Sequence, residues 1–82
     1  MRLLFFGPLK DLSAGAQRDL ALPEGVATLE GLIAHMAAQE PALAQALSAP
    51  SVRIAVNKHI VPRSHIITDS DEIAFLPPFS GG

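Results

Sequence analysis

Apolar and polar positions alternate or cluster in short segments near the start of the chain, and these segments predict two strands. Leu3–Phe6 is a solid apolar run that Gly7-Pro8 interrupts, the pattern of a strand followed by a breaker. Gln17–Leu22 alternates with a period of two, which predicts a second strand. Lys10–Ala16 lies between them and predicts a turn with room for a single turn of helix. The two strands are close enough in sequence to pair as a hairpin.

The middle of the chain predicts one main helix. An apolar stripe recurs there at helical spacing and consists of Leu29, Leu32, Ile33 and Met36. Thr28 stands where its hydroxyl can accept a hydrogen bond from the first turn, which predicts the start of the helix. Pro41 is expected to end it, with Ala42–Leu47 adding a further short turn.

The last part of the chain predicts the remaining strands. Val52–Val56 is β-branched and alternating, the turn at Asn57–His59 follows it, and Ile60-Val61 forms a short further strand. Glu72–Leu76 is the last strand, because Pro77-Pro78 cannot continue in a sheet interior. The order β-β-α-β-β-β predicts an α+β fold in which one helix packs on one face of a sheet.

The alternation also predicts which residues face away from the helix. Arg2 and Glu72 have no expected partner in the core, so both are assigned to the uncovered face. By the two-residue period, that face also holds Leu4, Phe6, Ala74 and Leu76. An apolar patch on a small protein favours a partner surface, and we expect Phe6, Leu76 and Ile60 in it. The alternatives are a loop folded over this face, or scattered exposed apolar residues.

Composition and charge exclude several classes of protein. A chain of 82 residues leaves room for one small domain, and 49% hydrophobic with 17% charged residues excludes a disordered chain. The basic residues are scattered and the net charge is −2, so nucleic acid is not an expected partner. No apolar run approaches the roughly 20 residues of a membrane span. Gly7-Pro8 and the charges of Lys10-Asp11 also argue against a signal peptide, so a cytoplasmic protein is expected.

The side chains offer little catalytic chemistry. The absence of Cys excludes disulfides, zinc–thiolate sites and Cys nucleophiles. His59 and His65 have a spacing that matches no standard ligand motif, and no Ser has a credible His-Asp arrangement around it. No Gly-rich phosphate loop occurs in the sequence. We therefore expect this chain to bind no metal or cofactor, and we expect a partner protein to bind the ATP. The chain itself is expected to be a carried substrate and not an independent catalyst.

The C-terminal segment is the one part whose chemistry is distinctive. Residues 77–82 are expected to form an extended tail on a domain of residues 1–76, with a reach of about 20 Å. Gly81-Gly82 has no β-carbon, so this end can enter a narrow channel. A free α-carboxyl has a pKa of about 3.3–3.7, so it is ionised at neutral pH and can attack an activated phosphate. The alternative is an inert, frayed terminus.

Three segments together resemble one known family. Leu4–Phe6, Ala55–Asn57 and the block from Asp69 to Gly82 are similar to the sulfur-carrier (small) subunits of molybdopterin synthase, in the MoaD/ThiS family of ubiquitin-like sulfur carriers. The match runs from end to end, and the terminal block is its most specific part. It implies a ubiquitin-like β-grasp fold, with a mixed sheet of four to five strands and one main helix on one face. This agrees with the predicted order of elements.

The resemblance also implies a role for individual residues. Gly82 would be adenylated with ATP by an E1-like activating enzyme and converted to a thiocarboxylate by a sulfur donor system. The large catalytic subunit of molybdopterin synthase would receive a threaded segment made of Pro77, Pro78, Phe79, Ser80 and Gly81. Sulfur would pass there to cyclic pyranopterin monophosphate, within a heterotetramer, and build the dithiolene of molybdopterin. Phe6, Ile60 and Leu76 fall where the family docks on its large subunit. Phe79 and the stretch Gly7–Lys10 depart from the usual pattern.

Other functions fit the same fold and the same Gly-Gly end. A sulfur carrier of thiamine biosynthesis is one, although the Phe-rich first strand and Pro77-Pro78 favour the molybdopterin family. A ubiquitin-like modifier joined to lysines is another. A β-grasp binding module with an inert tail is the last.

Overall fold

The computed structural model describes residues 1–78, which form five strands and three helices. Along the chain these are β1 (Arg2–Phe5), α1 (Leu9–Leu12), β2 (Gln17–Asp19), α2 (Leu29–Ala37), α3 (Pro41–Leu47), β3 (Arg53–Val56), β4 (His59–Val61) and β5 (Glu72–Leu76). The strands form one mixed sheet in the order β2-β1-β5-β3-β4. β1 pairs parallel with β5, and the other neighbours pair antiparallel. The first and last strands are thus neighbours at the centre of the sheet.

The core lies between one face of this sheet and the helices. Phe5 and Phe75 are partners in the parallel register, and their stacked rings have centroids 5.3 Å apart. The sheet also buries Leu3, Ile54, Val56 and Ile73, and the helices bury Leu29, Leu32, Ile33, Met36, Leu43, Ala44 and Leu47. The stripe predicted for the main helix is therefore confirmed as its buried face. No helix within residues 1–78 is long and apolar enough to span a lipid bilayer.

The ends of the helices follow from local chemistry. Thr28 caps α2 as predicted, because its Oγ1 accepts a hydrogen bond from the amide of Gly31 at 3.1 Å. The short turn expected at Ala42–Leu47 is instead a helix of seven residues, α3. Pro41 occupies its first turn, where proline has no amide to leave unpaired and its fixed φ suits a helix. Pro41 therefore starts a second helix over the core as well as following the first.

The second strand is shorter than predicted. The alternation favoured Gln17–Leu22, whereas β2 contains only Gln17–Asp19. Its last residue, Asp19, is opposite Arg2, where β1 begins, and Leu20 still exchanges backbone hydrogen bonds with Met1, which precedes β1. Leu22 donates its amide to the Asp69 carboxylate at 2.6 Å instead.

A bidentate ion pair ties the edge strand β2 to the helices. Arg18 donates to the two carboxylate oxygens of Glu40 at 2.6 and 2.8 Å, and to the carbonyl of Ser13 at 2.9 Å. Its guanidinium also lies 5.6 Å from the ring centroid of Phe5. The hydrogen bonds from Arg18 lower the pKa of Glu40 below its ordinary value. Glu40 directly precedes α3, so this pair fixes the junction between α2 and α3 relative to the sheet.

The Glu40→Gln variant is expected to lower the free energy of unfolding by about 0.5–1.5 kcal/mol at neutral pH, since both side chains are partly exposed. Because the folded pKa of Glu40 is lowered from 4.5, its contribution is complete above that value and is lost as the pH falls through the folded pKa. Urea unfolding at about pH 7 and about pH 3 should show the gap between wild type and variant shrinking in acid. Glu24→Gln, at an exposed residue, is the control. A gap of the same size at both pH values would contradict the ion-pair explanation.

The hairpin between β3 and β4 is fixed by Asn57. Asn57 and Lys58 both have positive φ, 51° and 71°, as a two-residue type I′ turn requires, and His59 already belongs to β4. The backbone amide of Asn57 donates to the backbone carbonyl of Glu72 at 2.8 Å. The side-chain Oδ1 of Asn57 accepts a hydrogen bond from the backbone amide of Glu72 at 3.0 Å. Its Nδ2 donates to Asp71 at 2.9 Å. One side chain therefore joins the turn to the start of β5.

Replacing Asn57 with Ala is expected to lower the free energy of unfolding by about 1–2 kcal/mol, because the side-chain hydrogen bonds are lost and Ala tolerates positive φ poorly. In a domain of this size that corresponds to a fall of roughly 5–15 °C in melting temperature, measurable by circular dichroism. Asn57→Gly keeps the backbone freedom but loses the same hydrogen bonds, so a smaller loss is expected. Equal losses in the two variants would show that the turn conformation contributes nothing.

Candidate functional site

The face of the sheet opposite α2 and α3 presents a continuous apolar surface. Strand register aligns Leu4 of β1 with Ala74 of β5, Ala74 with Ala55 of β3, and Ala55 with Ile60 of β4. Together with Phe6 and Leu76, these residues are called the open face below, and Ala55 is the one among them that is buried. In each strand the alternate residues point into the core, so the alternation alone determines this surface.

The three residues predicted for a partner surface all belong to the open face. Phe6 and Leu76 directly follow Phe5 and Phe75, the last pair of the parallel register. The exposed fractions are 45% for Phe6 and 57% for Ile60, whereas Leu76 is half-buried. Exposed large apolar side chains in one continuous patch are typical of a contact surface. That these residues dock on a partner stays a prediction.

Charged residues lie at the two ends of the open face. Where β1 and β5 begin, Arg2 is opposite both Asp19 and Glu72, and the Arg2 Nε lies 3.7 Å from the Asp19 carboxylate. Both side chains are well exposed, so this pair contributes little to stability. Where β5 ends, the exposed Arg53 is opposite Leu76. The apolar residues of the open face therefore lie between these two charged ends.

The predicted tail begins at that exit. Pro77 is half-buried and Pro78 is exposed, and both directly follow β5. The other predicted tail residues, Phe79, Ser80, Gly81 and Gly82, lie outside the described residues. Because β5 is a central strand, the chain leaves the middle of the sheet and not its edge. Pro77 and Pro78 thus leave the sheet next to the open face.

Sequence reasoning missed one residue at this exit. In the sequence, Gly7-Pro8 predicts a breaker that ends the first strand, and nothing there indicates a contact between Gly7 and the C-terminal segment. In the structure Gly7 has a φ of +57° and lies against the ring of Pro77, where a β-carbon would come within 3.0 Å of Pro77 Cγ. The only local signal was the glycine itself, since its neighbour comes from the other end of the chain.

The described part of the chain gathers few reactive side chains. Within residues 1–78, no three His, Asp or Glu side chains come together as a group that could hold a metal ion. His35 is exposed on α2, outside the buried stripe. Ser13 is buried, and its hydroxyl donates to the carbonyl of Lys10 at 3.2 Å, which is a structural role at the end of α1.

A mixed sheet with parallel first and last strands at its centre, crossed on one face by a helix, defines the ubiquitin-like β-grasp class, and the predicted fold class is confirmed. The crystal structure of SAMP1 from Haloferax volcanii superposes with a TM-score of 0.79, covering 100% of this chain and 98% of that one at 20% sequence identity. At this identity the likeness concerns the fold alone.

Residues 3–82 match the ThiS family model, and the chain belongs to this family. It is 38% identical to the molybdopterin synthase sulfur carrier subunit of Escherichia coli (strain K12) over 82 residues, covering 100% of this chain and 99% of that protein. A complex of subunits 1 and 2 of the molybdopterin-converting factor from Helicobacter pylori 26695 contains a chain with a TM-score of 0.63 and 26% identity. That match covers 99% of this chain and 96% of the other. The resemblance inferred from the sequence is confirmed at the level of the family.

Proposed function

We propose that this chain is a sulfur carrier in the synthesis of molybdopterin, in the cytoplasm. Its Gly82 carboxylate is adenylated, converted to a thiocarboxylate, and delivered into the active site of the large subunit of molybdopterin synthase. Sulfur then passes to cyclic pyranopterin monophosphate. The chain is the sulfur-donor subunit of that complex and contributes no catalytic side chain of its own.

One observation carries this proposal: the central strand β5 runs along an exposed apolar face and continues directly into Pro77-Pro78 and the Gly-Gly end. A surface that binds a partner and a slender segment that enters it are therefore joined without a linker. The relatives in the ThiS family support the same function. The Escherichia coli relative is named as a sulfur carrier subunit, and the Helicobacter pylori structure is a complex of two subunits.

The proposed chemistry resides in the terminal carboxylate. An oxygen of the ionised Gly82 carboxylate attacks the α-phosphorus of ATP held by an E1-like enzyme, and pyrophosphate leaves. The product is a mixed anhydride, which is a good acyl donor. A hydrosulfide-level sulfur donor then attacks the acyl carbon and AMP leaves, so one carboxylate oxygen is exchanged for sulfur. In the large subunit, the thiocarboxylate sulfur displaces an oxygen substituent from a carbon of the pterin precursor, so that a carbon–sulfur bond forms as a carbon–oxygen bond breaks. Water then cleaves the acyl–sulfur bond, which leaves the sulfur on the precursor and restores the Gly82 carboxylate.

Docking on the large subunit is assigned to the open face. Phe6 and Ile60 are the large side chains most exposed on this face, so they have the most apolar surface to bury against a partner. Such anchors at the centre of an interface commonly dominate its binding energy. Arg53 and the Arg2–Asp19 pair, at the ends of the face, belong to the polar margin of that interface.

Replacing Phe6 or Ile60 with Asp is expected to weaken binding to the cognate large subunit by roughly tenfold to a hundredfold, since a charge would be buried in an apolar contact. Isothermal titration calorimetry checks this. Ile66→Asp is the matched control, because Ile66 is 70% exposed but lies between β4 and β5, in an isolated bridge with Thr28. Melting temperatures of the three variants should stay close to that of the wild type. Equal affinity in the open-face variants and the control would remove the open face from the interface.

Deleting Gly82 is expected to abolish sulfur transfer without loss of thermal stability, because the core cluster found among the described residues ends at Phe75. The shortened chain still ends in a glycine carboxylate, that of Gly81, but this group is about 3.5 Å short of its proper position. Intact-mass measurement after incubation with the activating enzyme, ATP and a sulfur donor follows the exchange of oxygen for sulfur. Deleting Ser80 instead shortens the chain by the same one residue but keeps the Gly-Gly end. Comparing the two deletions separates the effect of tail length from the effect of the terminal residues.

The same measurement distinguishes the other candidate functions. Exchange of oxygen for sulfur at Gly82 supports a carrier, whereas addition of this chain to other proteins supports a ubiquitin-like modifier. No change of mass leaves the binding module with an inert tail. Failure of the thiocarboxylated chain to support molybdopterin formation by its cognate large subunit would favour the thiamine pathway.

A further inference from the structure

Gly7 and Pro77 meet where the tail leaves the sheet. The parallel register ends with Phe5 opposite Phe75, and Gly7 and Pro77, each two residues beyond this pair, lie side by side. A β-carbon placed on Gly7 would lie 3.0 Å from Pro77 Cγ and 3.9 Å from Pro77 Cβ. Carbon atoms in ordinary contact are about 3.5–4.0 Å apart. A β-carbon at residue 7 would therefore require the Pro77 ring to move by a few tenths of an ångström.

Gly7 is also held firmly by its neighbours in the chain. Its φ of +57° is a conformation that other residues adopt with strain. Its carbonyl accepts a hydrogen bond from the amide of Lys10 at 3.1 Å as α1 begins, and Leu9 in that turn is buried in the core. Gly7 is thus fixed between β1 and α1. A clash with Pro77 would be relieved by movement of Pro77.

We propose that Gly7 is a positioning residue for the tail: by seating the Pro77 ring against the end of β1, it sets the direction in which the chain leaves the sheet. The inference rests on the proposed function, in which the terminal carboxylate has to reach a reacting group in another protein. The pyrrolidine ring fixes the φ of Pro77 and of Pro78, so the seat of the first ring determines the course of both residues.

A small rotation at this point has a large effect at the far end. Six residues span at most about 20 Å, so a change of about 10° in exit direction can displace the end of the chain by up to about 3 Å. A displacement of about 1 Å can reduce the rate of an enzymatic reaction by roughly a hundredfold. The open face does not include Gly7, so docking and positioning are separable properties of this chain.

The test is a double-mutant cycle of Gly7→Ala and Pro77→Ala. Each chain is first converted to its thiocarboxylate, and single-turnover sulfur transfer to the pterin precursor is then measured with the cognate large subunit. Gly7→Ala is expected to lower the transfer rate at least about tenfold in the wild-type background. In the Pro77→Ala background the pyrrolidine ring is absent, so Gly7→Ala is expected to lower the sulfur-transfer rate less than about threefold.

Affinity and stability measured on the same chains separate positioning from other effects. The dissociation constant for the large subunit is expected to change less than about threefold in Gly7→Ala, because Phe6, Ile60 and Leu76 are untouched. The backbone strain of Ala at position 7 is present in both backgrounds, so its effect on melting temperature should be similar in the two. An equal rate loss in the two backgrounds, or a rate loss matched by lost affinity, would overturn the inference.

The wild-type chain distinguishes failure of this inference from failure of the proposed function. If the thiocarboxylated wild type transfers no sulfur, the proposed function fails. If the wild type transfers sulfur and Gly7→Ala does so at the same rate, only the positioning role of Gly7 fails.

Discussion

The parallel pairing of β1 with β5 is the constraint on which the other features depend. It brings the two ends of the chain together at the centre of the sheet and stacks Phe5 on Phe75 in the core. A slip of one residue would turn the buried side chains of a strand outward, so burial of the core fixes the register. The same register aligns Leu4 with Ala74 on the open face and brings Gly7 to Pro77 at the exit. The pairing of β1 with β5 therefore determines the core, the open face and the point where the chain leaves the sheet.

Polar contacts at the margins hold the remaining elements to this central pair, in a chain without Cys. Arg18 joins the edge strand β2 to the junction of α2 and α3 through Glu40, and Asn57 joins the β3–β4 hairpin to the start of β5. At the C-terminal end of α3, the Arg63 Nη2 donates to the carbonyls of Leu47, Ala49 and Val52 at 2.9–3.0 Å. A small domain has a modest core, so such contacts replace covalent cross-links. None of these contacts uses the apolar side chains of the open face.

The sequence predicted what depends on local pattern and missed what depends on distant neighbours. Alternation assigned Phe6 and Leu76 to the uncovered face because side-chain direction follows from strand periodicity alone. The seven-residue helix α3 was underestimated because Pro41 was interpreted only as a stop, although proline also suits a first turn. The length of β2 and the seat of Pro77 on Gly7 depend on which strands pair and in what register. Such tertiary pairings leave no periodic signal in a single chain.

The sheet that carries this apolar surface has unusually short edge strands. Both edge strands, β2 and β4, contain only three residues, so few backbone amides and carbonyls are available for another chain to extend the sheet. Edge-to-edge growth is the usual route by which exposed apolar strands lead to fibrils. A protein built this way can expose an apolar sheet face at high protein concentration and still resist amyloid-like assembly.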